Sequence, residues 1–308
     1  MNTYTVVGVD VSKATLEVKS NKLHFSVSNT EKGINEMFSK LKGEENMLLV
    51  CEASGGYERL VIHKAHLSKI PIHCANAARV RAFAKSEGIR AKSDPIDAEM
   101  IRRYGVEKTL APTPPPNPVS EKMANLLDRH NQLSKLIASE KNRLQNSPKI
   151  IHKSIIRIMK ALECELKRIN EEIKKAVASD EVITKRVKCI QETKGIGPVV
   201  AWHIVAYLNE ITQLKRNQAV AMAGLAPYNK DSGTMKGKRR IEGGRGKVRN
   251  VLFMAAQSAA VHNPVIREYV KGLRDREKPY KSAIVAAMRK LLIHVRSELK
   301  KSELELAF

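Results

Sequence analysis

The stretch TYTVVGVDVS (residues 3–12) decides the fold of the first part of the chain. Its apolar, β-branched run is typical of a buried strand, and Asp10 stands at the end of that run. The alternating segments TLEVKS (15–20) and KLHFSVS (22–28) follow it and predict two short strands joined near Asn21. These three strands predict a β-meander that opens the chain.

Alternating helices and strands are predicted after the meander. EKGINEMFSKLK (31–42) predicts a helix with Thr30 as its cap, and NMLLVCEA (46–53) predicts a second buried strand. A helix at 58–69, a short strand at 71–76 and a helix at 93–105 follow, the last with Ser93 or Asp94 as cap and Gly105 at its end. Three strands followed by helix, strand, helix, strand and helix predict an α/β domain with an RNase H-like (RuvC-like) fold.

A proline-rich connector, APTPPPNP (111–118), separates this domain from a mainly helical remainder. Apolar residues of the middle region recur in steps of four and three, which is a heptad seam: Ile155, Met159, Leu162, Leu166, Ile169, Ile173 and Ala176. Asn146, Ser147 and Pro148 interrupt the helical pattern, so the middle region is either an antiparallel hairpin within one chain or a dimerising coiled coil. We therefore predict three domains, 1–115, 116–186 and 187–308.

The chain of 308 residues carries 55 Lys and Arg against 32 Asp and Glu, a formal net charge of +23. Residues 1–110 hold 17 basic and 13 acidic residues, so most of the surplus lies behind the connector. Such a surplus indicates a polyanionic partner, most often nucleic acid. No apolar stretch approaches the ~18 residues of a membrane span, and the N-terminus shows no secretory signal. The four cysteines are far apart and form no CxxC pair, which disfavours a zinc knuckle and a disulfide framework and favours a cytoplasmic location.

Four carboxylates of the first domain are candidate metal ligands. Asp10 and Glu52 each end a predicted buried strand, and Asp94 and Asp97 lie three residues apart on one helix face. If the four converge, two divalent cations can neutralise them, and hard oxygen ligands favour Mg²⁺ or Mn²⁺ over zinc. Two such ions suit phosphoryl transfer. The structural alternatives are that Asp94 is only a helix cap and that Asp10 belongs to a turn.

A glycine-rich basic segment in the last domain is the candidate nucleic-acid interface. ETKGIGPVVAWHIVAYL (192–208) has the form of a helix-hairpin-helix, in which Gly195 and Gly197 would let the backbone approach a phosphate beside Lys194. The alternative is an ordinary glycine turn. Further along, basic residues are interleaved with glycines, a composition that suits a clamp on a nucleic-acid backbone although it is also compatible with a solvated face. The candidate clamp residues are Lys236, Lys238, Arg239, Arg240, Arg245, Lys247 and Arg249. Ser232 within this segment is either a turn residue or a nucleophile.

These motifs together resemble a known family. GVDVSKATLEV, CEASGGYERL, KSDPIDAEMI, TKGIGPVVAWHIV and AGLAPYNKDSGTMKGKRRIEGGRGKVRNVLFMAA are similar to the corresponding motifs of DEDD transposases of the IS one-ten family of bacterial insertion sequences. The resemblance covers residues 4–105 and 187–260. It implies that Asp10, Glu52, Asp94 and Asp97 are the acidic quartet and that Ser232 is the nucleophilic serine.

The resemblance also implies how such an enzyme works. Mg²⁺ held by the quartet activates the scissile phosphate, Ser232 forms a phosphoserine intermediate with DNA, and strand exchange follows. A structured guide RNA pairs with donor and target DNA, and dimers and tetramers complete the acidic site of one subunit with the serine domain of another. The residues by themselves leave two alternatives: a RuvC-type junction nuclease that uses water, and a nucleic-acid-binding protein without catalysis.

Overall fold

A computed structural model describes residues 4–89, 94–115, 117–229, 237 and 239–305 of the chain. The chain divides into two compact units, Met1–Pro115 and Pro116–Phe308.

The first unit contains a mixed five-stranded sheet in the order β3-β2-β1-β4-β5. Its strands are β1 (Thr5–Val11), β2 (Thr15–Lys19), β3 (His24–Ser28), β4 (Met47–Glu52) and β5 (Ile72–Ala75). β1 pairs antiparallel with β2 and parallel with β4, and β4 pairs parallel with β5. The meander and the two parallel strands are present as the sequence predicts.

Four helices cover the two faces of this sheet: α1 (Glu31–Lys40), α2 (Arg59–Leu67), α3 (Ala77–Ser86) and α4 (Asp94–Glu107). The odd-numbered residues of β1, such as Val7 and Val9, form a core with α1 and α2. Val6 on the opposite face packs with residues of α3 and α4. Since side chains alternate across a strand, Asp10 belongs to the face of β1 that α4 covers.

Two details of the first unit differ from the sequence prediction. α3 was not predicted; it begins after Asn76, whose side chain accepts a hydrogen bond from the Ala78 N–H at 2.9 Å. Gly105 does not end α4 but lies inside it, because the helix continues to Glu107. A Cβ at Gly105 would lie 2.6 Å from Val6 Cγ1 and 3.0 Å from Val50 Cγ2, so this glycine is required for close helix–sheet packing. Thr30, in contrast, caps α1 as predicted by accepting from the Gly33 N–H at 3.2 Å.

The second unit is mainly helical. Its helices are α5 (Pro118–Asn146), α6 (Lys149–Ala178), α7 (Glu181–Gln191), α8 (Pro198–Tyr207), α9 (Arg216–Met222), α10 (Gly246–His262), α11 (Pro264–Asp275) and α12 (Tyr280–Glu305). A short 3-10 helix (Asn209–Thr212) precedes α9. Two antiparallel strands of two residues each, β6 (Pro227–Tyr228) and β7 (Arg240–Ile241), precede α10. No helix in the described ranges is both long enough and apolar enough to cross a membrane.

The two long helices α5 and α6 are joined only by Ser147 and Pro148 and pack along each other. The heptad seam of α6 is buried or half-buried within the chain, and Ile173 is fully buried. Met123 of α5 and Ile173 of α6 share one core with the helices that follow. The seam is therefore used inside the chain, as the hairpin interpretation requires.

Candidate active site

Two strand ends bring the first two predicted carboxylates to one edge of the sheet. Val9 of β1 lies opposite Cys51 of β4 in the parallel register, so Asp10 and Glu52 follow at the carboxyl ends of neighbouring strands. Leu48 and Val50 alternate with Glu52 along β4 and pack in the core beneath α3 and α4, so Glu52 and Asp10 share the same face. Both side chains are half-buried.

The first turn of α4 carries the other two carboxylates, Asp94 and Asp97. The helix lies very close to β1, because a Cβ at Gly8 would overlap the Ala98 carbonyl oxygen and lie 2.6 Å from the Arg102 nitrogen. The missing side chain of Gly8 therefore allows α4 to approach the strand that carries Asp10. Asp94 is exposed and Asp97 is half-buried.

The electrostatics of Asp10 show that the four carboxylates interact. Burial and, in decreasing order of effect, the negative charges of Asp97, Glu52 and Asp94 together raise the pKa of Asp10 to about 6. A hydrogen bond from the Val11 backbone opposes this shift. The edge of the sheet thus holds acidic groups whose negative charges act on one another.

The donor set fits a hard divalent cation. All four groups supply oxygen, which Mg²⁺ and Mn²⁺ prefer, and their repulsion would be relieved by a positive ion. In the described part of the chain no three His, Cys, Asp or Glu side chains are placed to hold one ion together.

The turn after Glu52 is fixed by a residue that the sequence analysis did not single out. Glu58 Oε2 accepts hydrogen bonds from the Ser54 N–H and Ser54 Oγ, both at 3.1 Å, and from the Gly56 N–H at 2.8 Å. Burial raises the pKa of Glu58, but hydrogen bonds from the backbone of Glu58 itself, then from Gly56 and Ser54, outweigh burial and the pKa is lowered. The ionised carboxylate of Glu58 therefore stabilises the loop that follows Glu52. A Glu six residues after a strand-end acid, beyond a Gly-Gly pair, is the sequence signal that could have found it.

Ser232, Lys236 and Lys238 lie outside the described residues. The paired strands β6 and β7 flank this part of the sequence, with Tyr228 opposite Arg240. Arg239 and Arg240 are exposed.

Three of the predicted clamp residues make bonds within the second unit. Arg245 donates to the Tyr207 carbonyl oxygen at 2.7 Å and forms an ion pair with Glu210 at 2.5 Å. Lys247 forms an ion pair with Asp128 of α5 and lies 4.7 Å from the centroid of the Tyr207 ring.

The third of these residues, Arg249, links the glycine that follows α9 to the glycine-rich turn that precedes α10. Its Nη1 donates to the Gly243 carbonyl oxygen at 2.7 Å and to the Gly224 carbonyl oxygen at 3.4 Å. Gly224 and Gly243 have φ values of +70° and +68°, which favour glycine. Arg245, Lys247 and Arg249 thus fasten the start of α10, a structural role beside their predicted contact with nucleic acid.

Lys194, Gly195 and Gly197 form the connection between α7 and α8. Gly195 has φ +98°, and a Cβ there would lie 2.6 Å from Ala259 Cα of α10, so the glycine permits both the turn and the packing. The Lys194 carbonyl oxygen accepts from Asn263 Nδ2 at 3.1 Å. Gly197 is the N-cap of α8.

Family comparisons match two stretches of the chain, one containing the acidic edge of the sheet and the other the glycine-rich basic segment. A DEDD transposase family of the IS110 type, described as "Transposase", matches residues 7–152, and the "Transposase IS116/IS110/IS902 family" matches residues 187–271. The chain belongs to the IS110 family of transposases. It is therefore an enzyme that acts on DNA as a transposase or recombinase, and membership of the DEDD group implies a divalent metal.

Curated relatives agree with this assignment of the transposase. Proteins described as "Pilin gene-inverting protein" from Moraxella lacunata and Moraxella bovis are each 23% identical over 300 residues. The match covers 94% of this chain and 93% of each relative. The first family match contains Asp10, Glu52, Asp94 and Asp97, and the second contains Ser232.

Proposed function

We propose that this transposase is an RNA-guided recombinase that cuts and rejoins DNA with a Mg²⁺-binding DEDD site and a serine nucleophile. The observation that carries the proposal is the convergence of Asp97, Glu52 and Asp94 on Asp10, whose pKa they raise. Carboxylate oxygens gathered at the ends of parallel strands and at the start of a helix are suited to bind cations that act on phosphate.

The first unit would hold the metal and the scissile phosphate. Asp10, Glu52, Asp94 and Asp97 are the metal ligands in this proposal, and Mg²⁺ or Mn²⁺ would supply Lewis-acid activation of the phosphodiester. The close contact of α4 with Gly8 sets the distance of Asp94 and Asp97 from β1. Glu58 would keep Glu52 in place by bracing the loop behind it.

Ser232 would be the nucleophile. Its Oγ forms a bond to the scissile phosphorus while the bond from phosphorus to one deoxyribose oxygen breaks. The serine proton leaves to a base or solvent, and the released oxygen takes up a proton. The covalent phosphoserine preserves the energy of the phosphodiester, so a second deoxyribose hydroxyl can reverse the step on a new partner strand.

The basic second unit would bind DNA and a structured guide RNA. Residues after 110 carry 38 basic against 19 acidic residues, and aromatic residues make up only 4% of the chain. Base pairing with a guide would make side-chain stacking on bases unnecessary. The turn at Lys194, Gly195 and Gly197 would act as a helix-hairpin-helix contact to phosphate, alongside Lys236, Lys238, Arg239 and Arg240.

Multimers would form through the middle helices. The heptad seam of α6 packs inside the chain, so the surface left for a second copy is the outward face of the hairpin tip. Large apolar side chains are exposed there: Leu136, Ile150, Ile151, Ile156 and Ile158. Light scattering should show a dimer or larger species that Ile151→Glu with Ile158→Glu converts to a monomer; a wild-type monomer at high concentration, with and without nucleic acid, would contradict this part.

The serine mechanism is tested with two substitutions on element-end DNA and the RNA that co-purifies with the protein. We expect wild type to cleave in Mg²⁺ and both Ser232→Ala and Asp10→Ala to be inactive. Normal cutting by Ser232→Ala with none by Asp10→Ala would instead identify a nuclease that uses water. If neither substitution changes any activity, the carboxylates are structural and the proposal is wrong.

A further inference from the structure

A small cavity of about 70 Å³ lies beside two of the site carboxylates. Glu52 and Asp97 line it together with Arg81 of α3, above apolar side chains that include Val80 and Ile101. An arginine and two carboxylates of the acidic edge of the sheet therefore line the same cavity. Neither the predicted quartet nor the predicted basic clamp includes this arginine.

Arg81 is placed to bind a ligand. Val80 and Phe83 bury one side of α3 in the core, whereas Arg81 and Lys85 are exposed. Among the described residues no carboxylate lies within ion-pair distance of the Arg81 guanidinium. Lys85 follows four residues later and therefore lies one turn further on the same helix face.

We propose that Arg81, supported by Lys85, holds a phosphate of the DNA strand that enters the acidic site. The inference rests on the proposed function, since it assigns the substrate-binding face of the same site. The planar guanidinium of an arginine presents two parallel N–H donors, which match two oxygens of a phosphate better than the single ammonium group of a lysine does. Arg81 carries a positive charge into this cavity with or without bound cations, whereas Glu52 and Asp97 repel a phosphate only while no cation neutralises them.

The position of Arg81 beside the carboxylates indicates that the bound phosphate belongs to the DNA strand that is cut and not to a more distant strand. Arg81 shares its cavity with Glu52 and Asp97, so a phosphate bound there lies next to the predicted metal ligands. Lys85, one turn away, suits the neighbouring phosphate of that strand. Contacts of this kind position a nucleic acid and read no bases, so the effect is the same for DNA of any sequence.

The test is DNA binding in EDTA, where no cleavage is involved. A fluorescent element-end duplex is titrated with full-length Arg81→Ala, Arg81→Lys and, as the matched control, Arg79→Ala; Arg79 is on the same helix, exposed, and does not line the cavity. We expect Arg81→Ala to weaken binding about tenfold and to reduce the salt slope by about 1, the loss of one phosphate contact. Arg81→Lys should restore the slope but only part of the affinity, and Arg79→Ala should change binding less than twofold.

A double-mutant cycle locates the phosphate relative to the carboxylates. In EDTA, Asp97→Asn removes a negative charge beside the proposed phosphate and should tighten binding, and this gain should shrink in the Arg81→Ala background. Equal effects of Arg81→Ala and Arg79→Ala, or strictly additive effects of Asp97→Asn and Arg81→Ala, would overturn the inference. Loss of binding to the co-purified RNA alone would also overturn it, in favour of an RNA-binding face. Because these readouts need no cleavage, they stand apart from the Ser232 and Asp10 experiments that decide the proposed function.

Discussion

The carboxyl of Asp10 should destabilise the metal-free protein at neutral pH, and Asp10→Asn should therefore stabilise it. The pKa of Asp10 rises from 3.8 to about 6 on folding, mainly through burial and then through Asp97, Glu52 and Asp94. A shift of this size corresponds to about 3 kcal/mol at 1.36 kcal/mol per pKa unit. Because Asp10 is only partly buried, solvent screening reduces the expected gain to about 1–2 kcal/mol.

The sign of the pH dependence follows from proton binding. Below about pH 4 the Asp10 carboxyl is protonated in both the folded and the unfolded chain, so Asp10→Asn changes little. Between about pH 4 and pH 6 the folded protein binds the extra proton, and the free energy of unfolding of wild type falls relative to Asp10→Asn as the pH rises. Above pH 6 the difference is constant.

Calorimetry of wild type and Asp10→Asn in EDTA at pH 4.5 and 7.5 measures this difference in the transition of the N-terminal unit. For a unit of this size, the expected gain at the higher pH is on the order of 5 °C in Tm. Glu107→Gln is the matched control, since it removes an exposed carboxylate from the far end of α4 and should shift Tm little. Addition of Mg²⁺ should raise the Tm of wild type and leave Asp10→Asn nearly unchanged. Equal Tm values for wild type and Asp10→Asn at pH 7.5 would refute the reasoning.

Three further substitutions test the packing within the two units. Gly8→Ala should cost about 1–3 kcal/mol and remove the Mg²⁺-dependent rise in Tm, because α4 must move away from β1; an unchanged Mg²⁺ response would contradict this. Tyr207→Phe should cost about 1–2 kcal/mol in urea unfolding, because it removes the hydroxyl whose one proton is shared between Asp128 Oδ1 at 2.6 Å and the Ala124 carbonyl oxygen at 2.7 Å. Ile173→Ala should cost about 2–5 kcal/mol, whereas the exposed Val182→Ala should cost under about 0.5 kcal/mol; similar losses would show that the seam is not packed within the chain.

Local sequence patterns predict most helices and strands of the first unit. The features that they do not predict depend on packing between residues far apart in the sequence. The apolar runs around Val7 and Leu49 and the cap at Thr30 are signals contained in a few adjacent residues, and the structure confirms them. The sequence does not predict α3, because only Val80 and Phe83 of its ten residues are buried and they form too short an apolar stripe.

The functions of single residues were harder to predict where their partners are distant in sequence. Gly105 resembles a helix terminator, yet its role depends on Val6 and Val50 of two strands. Lys247 resembles a free cation in a basic run, yet its partner Asp128 stands 119 residues earlier. The neighbouring positions of Asp10 and Glu52 were predictable because strand order alone brings these two residues to one edge.

The most direct test of the account is to trap and map the covalent intermediate. Wild type is incubated with element-end DNA, co-purified RNA and Mg²⁺, denatured, digested with nuclease and protease, and examined by mass spectrometry. The account predicts a nucleotide-phosphate adduct on the peptide that contains Ser232, and no adduct in Asp10→Asn. An adduct on a different residue, or recombination by Ser232→Ala at the wild-type rate, would contradict it.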